Sequence, residues 1–284
     1  MMAPEMNETR DLMRLSHSVD NADWFKTFAI MLVAVGHTGY FFIDDAEWWS
    51  VFGRMAAPVF FFLMGYARSR SIPIKWIGLG VILTLLDSWN TDWEWVATNI
   101  LLSMVLIRLS RSSILGLLQR YGWVAFLVLV LGLLTLMPIT GDIVDYGAEG
   151  WLWALFGLCQ RMSVDASSPA GINGAKWKSE LTGEGMKRNW RMMCLLACLI
   201  AALAYVWQEQ IEFMFSSAQL AIVAFGVCFL SLGLSGFALG PSSIQPPELI
   251  ARSLRFLGRH TLEIYVIQLA GSELIIHLVP GLAA

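Results

Sequence analysis

Two ionisable side chains in the first apolar stretch of the chain have the types and spacing to do chemistry. The stretch runs from Trp24 to Phe42, with Lys26 near its start and His37 well inside it. In an α-helix, residues eleven positions apart fall within about 20° of one face and roughly 16 Å apart along the axis. A cation and an imidazole therefore share one stripe at two depths. Each ionisable group in a membrane helix costs about 2.5–3.5 kcal/mol to insert, so such residues usually serve a ligand, an ion path or a reaction.

Other apolar segments carry polar side chains at a similar depth. Five of these side chains lie nine to fourteen residues from the basic residue at the cytoplasmic end of their segment: His37, Arg54, Asp87, Asn99 and Glu273. Because such groups are costly to expose to lipid, we expect them to turn inward and meet around a water-filled cavity. The sequence therefore predicts a layer of reactive residues in the middle to outer part of the membrane.

A second group of residues is predicted at the cytoplasmic mouth of the same cavity: Lys26, Arg68, Arg70 and Lys75. Guanidinium groups bind phosphate oxygens bidentately, and ammonium groups add positive charge, so this group is typical of a phosphate-binding site. The two groups together predict a channel with a phosphate site below and an acid–base centre above.

Each group also has a purely structural interpretation. The cytoplasmic basic residues can simply set the membrane topology. Arg54 and Glu273 can form a buried ion pair that orients helices, and Asp87 can lie in the lipid headgroup layer. An intramembrane histidine is rare, so His37 is the strongest candidate for a functional residue.

Composition indicates which kind of protein holds these residues. Of the 284 residues, 57% are hydrophobic and only 14% are charged, whereas soluble domains have about 25% charged residues. The chain is therefore predicted to be an all-α, polytopic membrane helical bundle, with the lipid bilayer as a partner and no nucleic acid. The four cysteines lie in apolar runs without a histidine at metal-ligand spacing, so no metal is expected.

About nine transmembrane helices are predicted, at residues 24–42, 49–67, 76 to about 87, 95–109, 121–137, 150–159, 192–207, 215–239 and 261–279. Their connections are alternately acidic and basic, and the positive-inside rule then places the N-terminus in the cytoplasm and the C-terminus outside. Residues 1–23 are predicted to be a polar cytoplasmic tail that is not a signal peptide, and 24–284 a single transmembrane domain. The basic, Gly- and Ser-containing connection 161–191 is predicted to be a cytoplasmic loop.

Three segments in the first half of the chain resemble known membrane proteins. Lys26, a ten-residue gap and His37 resemble the basic residue, gap and histidine in the first helix of the acyltransferase family 3 proteins. The run Gly53 to Phe60, GRMAAPVF, is similar to the GRIAFPIF run of the TraX family. Asn99 lies in TNILLSM, which is similar to the Asn-containing fourth helix of that family.

The C-terminal segment carries the most specific resemblance. LRFLGRHTLEIYVIQLA, from Leu254 to Ala270, resembles the closing GRHSLEIYLIH signature of the TraX family. Gln268 stands where that signature ends in histidine, so a role of that histidine does not transfer to this chain. The basic pair in Arg68-Ser69-Arg70 is also closer than the two-residue gap usual in the family 3 proteins.

The resemblance implies an acyltransferase, most simply an acetyltransferase, of the bacterial inner membrane. It would move an acyl group from cytoplasmic acyl-CoA, such as acetyl-CoA, to an amine or hydroxyl of a pilin-like peptide, a glycan or a lipid. The four basic residues of the mouth would bind the nucleotide phosphates. His37 would act as a base or carry the acyl group, and Arg54 would stabilise the oxyanion or orient the acceptor. Asp87, Asn99 and Glu273, which belong to the same polar layer, complete the predicted catalytic set.

Two other classes of function fit the same residues. In a proton-coupled transporter or permease, the buried layer would be a path for substrate and protons, but the two halves of the chain show no inverted repeat. In a non-catalytic membrane scaffold, the charges of the layer would be dispensable.

Overall fold

The computed structural model describes residues 18–43, 47–69, 71–90, 97–141, 143–167 and 184–279. Within these ranges the chain forms α-helices and no β-strand, which confirms the predicted all-α class. In chain order the helices are α1 (Asn21–Phe42), α2 (Glu47–Arg54), α3 (Ala57–Tyr66), α4 (Ile74–Asn90), α5 (Ile100–Tyr121), α6 (Trp123–Thr140), α7 (Gly147–Ser167), α8 (Glu184–Phe213), α9 (Ser217–Ser235), α10 (Glu248–Arg259) and α11 (Thr261–Leu278).

Several of these helices are suited to a bilayer. Five of them, α1, α5, α6, α8 and α9, are long and apolar enough to cross a membrane. This supports the prediction of a membrane protein with several transmembrane helices. The count of nine crossings and the cytoplasmic N-terminus remain predictions.

The second predicted span, 49–67, is not one continuous helix. It breaks at Met55 and Ala56 into α2 and α3. Pro58 occupies the first turn of α3, where its missing N–H and fixed φ angle favour a helix start rather than a helix interior. The break places Arg54 at the C-terminal end of a short helix.

Three other helices extend past their predicted ends, which were residues 109, 159 and 207. The polar residues just beyond these positions, Arg111, Arg161 and Glu209, lie within helices and do not mark loops. α5 is continuous to Tyr121, α7 runs to Ser167, and α8 runs to Phe213. Glu209 therefore belongs to a helix and is completely buried rather than lying in an external loop.

An N-cap residue sets the start of α1. Asp20 has extended backbone angles at the N-cap position, and its backbone N–H donates to the Asp23 carboxylate at 3.1 Å. Acidic groups in the first turn also complement the positive end of the helix dipole. The N-cap fixes where α1 begins, and with it the heights of Lys26 and His37.

The centre of the bundle is α7, which packs against α3 on one side and α8 on the other. Glycines allow the first contact: a Cβ on Gly65 would lie 1.8 Å from the carbonyl oxygen of Ala154, and a Cβ on Gly157 would lie 2.0 Å from that of Phe62. Small residues that let backbones approach closely are typical of helix interfaces in membranes. Fully buried aromatic side chains, including Phe62 and Trp153, fill the surrounding core.

Replacing Gly157 with alanine is expected to destabilise the protein by about 1–3 kcal/mol, because the added methyl group forces α3 and α7 apart. Thermal unfolding in detergent measures the effect. Gly132→Ala in α6 is the matched control, since no atom lies within 4 Å of its added Cβ. Equal unfolding temperatures for the two variants would show that the α3–α7 contact tolerates a methyl group.

Candidate active site

Six of the predicted site residues line one cavity of about 490 Å³: Lys26, His37, Arg54, Asp87, Asn99 and Glu273. They come from α1, α2, α4, the N-cap of α5 and α11. The structure therefore shows that side chains distant in sequence meet at one cavity.

A close approach of α1 and α2 positions the two central residues. A Cβ on Gly36 would lie only 2.6 Å from the Cα of Gly53. These glycines precede His37 and Arg54, so the backbone contact brings the imidazole and the guanidinium to the same cavity. Any larger side chain at either glycine would separate the two helices at this height.

The His37 ring lies among aromatic rings, 6.2 Å from Phe41 and 5.8 Å from Tyr265 between ring centroids. Its Nδ1 atom is buried and makes no hydrogen bond within the described part of the chain. A buried polar atom without a partner costs free energy and is uncommon in a folded protein. This nitrogen is therefore available to a substrate.

Arg54 is fixed by an ion pair, by contact with an aromatic ring and by hydrogen bonds of its side chain and its backbone carbonyl. Its Nε lies 3.7 Å from the carboxylate of Glu209, and its guanidinium carbon lies 3.9 Å from the ring centroid of Phe213. Tyr146 accepts a long hydrogen bond of 3.4 Å from Arg54, and Tyr205 donates one of 2.6 Å to the Arg54 carbonyl oxygen. Arg54 therefore pairs with Glu209, a partner that the sequence did not indicate. The suggested pairing with Glu273 stays a prediction.

Asn99 connects three helices at the cavity wall. Its side-chain oxygen accepts from the Leu101 N–H and caps α5, while its amide group donates to the Tyr265 hydroxyl of α11 at 3.2 Å. Its backbone N–H donates to the Thr84 hydroxyl of α4 at 3.0 Å. Gln268, at the position of the family histidine, donates to the Ala34 carbonyl of α1 at 3.1 Å. Both amides therefore fix helices around the cavity.

The predicted phosphate-binding residues divide into two sets. Lys26 lines the cavity, together with Arg259, which is not among the predicted phosphate-binding residues. Arg68 is paired with Asp165 at 2.5 Å, and Lys75 with Glu263 at 2.6 Å.

Neither Arg68 nor Lys75 lines the cavity. Arg70 lies outside the described residues. The basic residues that the structure places at the cavity are therefore Lys26 and Arg259, with Arg54 further in.

The turn between α6 and α7 adds two residues that the prediction missed. Asp145 and Tyr146 line the cavity although the sequence suggested an external acidic loop. Burial raises the pKa of the Asp145 carboxyl to about 6, while the positive charge of Arg54 and the backbone N–H of Ile100 lower it. A carboxyl group with this pKa changes its charge just below neutral pH.

This arrangement can support acid–base chemistry on a group brought next to His37. The imidazole offers a free nitrogen, Arg54 supplies a fixed positive charge, and the amide and hydroxyl of Asn99 and Tyr265 can form hydrogen bonds. Within the described residues, no group of three His, Cys, Asp or Glu side chains is placed to hold a metal ion.

Comparison with known proteins identifies the family. No curated protein and no solved structure matches the chain. The family model described as "TraX protein" matches residues 21–170, which is more than half of the chain and includes Lys26, His37, Arg54 and Asn99. The C-terminal signature lies outside this match. On the strength of that match, the chain belongs to the TraX protein family.

Proposed function

We propose that the protein is an integral-membrane acyltransferase that moves an acetyl group from cytoplasmic acetyl-CoA to an amine or hydroxyl acceptor. One observation carries the proposal: two residues of α1 line the same cavity, a cation at one depth and, about three helical turns further in, an imidazole whose Nδ1 makes no hydrogen bond among the described residues. Lys26 and His37 are about 16 Å apart along α1. An extended pantetheine arm has the length to connect a phosphate group at one with a thioester at the other.

In this proposal the donor enters with its phosphates at Lys26 and Arg259. Cationic side chains form charge-assisted hydrogen bonds with phosphate oxygens, and a partly dehydrated cavity strengthens them. Arg68, Arg70 and Lys75 belong to the wider predicted phosphate site. Arg68 and Lys75 would have to exchange Asp165 and Glu263 for phosphate oxygens before they could contribute.

His37 then acts on the thioester in one of two ways. As a general base, it takes the proton of the acceptor amine or hydroxyl while that atom attacks the thioester carbonyl. As a nucleophile, it takes the acyl group itself and passes it on. In both, the carbonyl oxygen gains negative charge, and Arg54 is the cation that stabilises it. Asn99, Asp87 and Glu273 orient the reacting groups.

The proposal also includes a family relationship to the acyltransferase family 3 proteins and a location in the bacterial inner membrane. Its acceptor would be a pilin-like peptide, a glycan or a lipid. Purified protein incubated with labelled acetyl-CoA tests the activity directly, and label on an added acceptor supports it. Solute uptake into proteoliposomes without acyl-CoA, and no label transfer, would favour a proton-coupled transporter instead.

Replacing Lys26 with methionine is expected to weaken coenzyme A binding about tenfold. The reason is that the substitution removes about one charge-assisted contact with phosphate. Calorimetric titration of the purified protein measures the change. Arg120→Gln at the exposed end of α5 is the control, since it removes a cation away from the cavity. An unchanged affinity in Lys26→Met, with a loss in Arg68→Gln, would move the phosphate site out of the cavity.

A further inference from the structure

A second cavity, of about 880 Å³, lies between α6, α7 and α8. It shares three wall residues with the first cavity: Arg54, Asp145 and Tyr146. The two cavities therefore adjoin at these residues. A molecule in the second cavity can contact Arg54 without entering the donor cavity.

The inner wall of this second cavity is acidic. Asp145, Glu149 and Glu212 all line it. Glu149 is only 4% exposed, and its Oε2 atom is buried without a hydrogen-bond partner in the described part of the chain. Glu212 accepts a hydrogen bond from Gln208 at 2.7 Å, whereas Arg54, a cation that also lines this cavity, is already paired with Glu209. The cavity therefore has carboxyl groups, one of them with a free acceptor atom, that can bind a cation.

The outer wall is apolar and open. Leu134 of α6 and Leu203, Trp207 and Ile211 of α8 line the cavity, and their exposed fractions run from 37% to 67%. Both helices are among the five that can cross a membrane. The opening between them therefore faces acyl chains in a bilayer. A ligand that fits has a cationic head group for the inner wall and hydrocarbon for the outer wall.

We propose that the second cavity takes a membrane lipid with a primary-ammonium head group through the gap between α6 and α8, as the acyl acceptor. This inference rests on the proposed acyltransferase function and names its acceptor. Glu149 and Glu212 bind the ammonium group, and the apolar residues of α6 and α8 contact the chains. A soluble peptide amine satisfies the acidic wall but leaves the apolar opening without a partner, so the lipid fits better.

The reaction balances with these reactants alone. The ammonium nitrogen loses one proton and attacks the thioester carbonyl where the two cavities adjoin at Arg54, Asp145 and Tyr146. A carbon–nitrogen bond forms, the carbon–sulfur bond breaks, and the nitrogen loses a second proton. One of the two protons converts the leaving thiolate to the thiol of coenzyme A, and the other is released. The products are an amide, coenzyme A and one proton.

The binding test needs no donor. Protein is placed in nanodiscs with equal amounts of phosphatidylethanolamine and phosphatidylcholine, and the lipids that it retains are counted by native mass spectrometry. We expect retained phosphatidylethanolamine to exceed phosphatidylcholine about tenfold, and this preference to disappear in Glu149→Gln, which keeps the shape of the side chain. Glu212→Gln is the second variant in case Glu149→Gln fails to fold. Glu248→Gln, on the exposed face of α10, is the control.

The transfer test adds labelled acetyl-CoA to the same nanodiscs, with and without a peptide that has a free N-terminal amine. Label on phosphatidylethanolamine supports the inference. Equal retention of the two lipids, or a preference unaffected by both glutamate variants, overturns it. Lipid binding without lipid labelling also overturns it. Label on the peptide with no lipid preference overturns it while leaving the acyltransferase intact, whereas no coenzyme A binding and no labelling contradict the acyltransferase itself.

Discussion

Replacing His37 with glutamine is expected to lower acetyl transfer about a hundredfold or more, with coenzyme A affinity nearly unchanged. Glutamine retains most of the volume and can still form hydrogen bonds, but it accepts no proton at neutral pH and forms no acyl intermediate. Because the Nδ1 atom of His37 has no partner within the described residues, the substitution breaks no observed hydrogen bond there. The measurement is transfer of label from acetyl-CoA, alongside binding of unlabelled coenzyme A.

His260→Gln is the matched control for this experiment. His260 is exposed at the C-cap of α10 and does not line the cavity. Its replacement is expected to leave transfer unchanged. A His37→Gln variant that transfers as well as the parent would end the proposed mechanism. Label retained on the parent protein after removal of free acetyl-CoA, and absent from the variant, would favour an acyl-histidine over a general base.

Counting residues along a span predicts the depth of a side chain, and this explains which parts of the site were predictable. The height of His37, Arg54, Asp87, Asn99 and Glu273 follows from a rise of about 1.5 Å per residue. Spans that are fixed in one bilayer share a common vertical scale. A polar group that avoids lipid must also face inward. Depth and polarity together therefore predicted which side chains share the cavity.

The direction in which a side chain points from its helix, and the length of each helix, could not be predicted in the same way. Arg68 pairs with Asp165 of α7, because the neighbour that a side chain meets depends on helix packing. Glu209 lies beyond the predicted end of its span, yet α8 continues past it and buries it beside Arg54. Asp145 and Tyr146 come from a connection that folds back into the protein. Such contacts are tertiary, and the local sequence pattern carries no signal for them.

Replacing Arg54 with glutamine is expected to lower both stability and acetyl transfer, for two separate reasons. Glu209 has an exposed fraction of 0% and loses its cation at 3.7 Å. Leaving a buried charge without its partner typically costs 3–5 kcal/mol, and because the Arg54 side chain is 27% exposed we expect about 3 kcal/mol. Loss of the positive charge at the oxyanion lowers transfer about a hundredfold. Unfolding in detergent and label transfer measure the two effects.

The double variant Arg54→Gln/Glu209→Gln separates these effects. Removing the orphaned carboxylate is expected to restore most of the stability, because neutral groups of similar shape replace the ion pair. Transfer should remain low, since no cation faces the thioester. If the double variant recovers transfer along with stability, Arg54 is a structural residue and the oxyanion role is wrong. Arg252→Gln, which breaks the exposed pair with Glu248, is the control and is expected to change stability by less than about 1 kcal/mol.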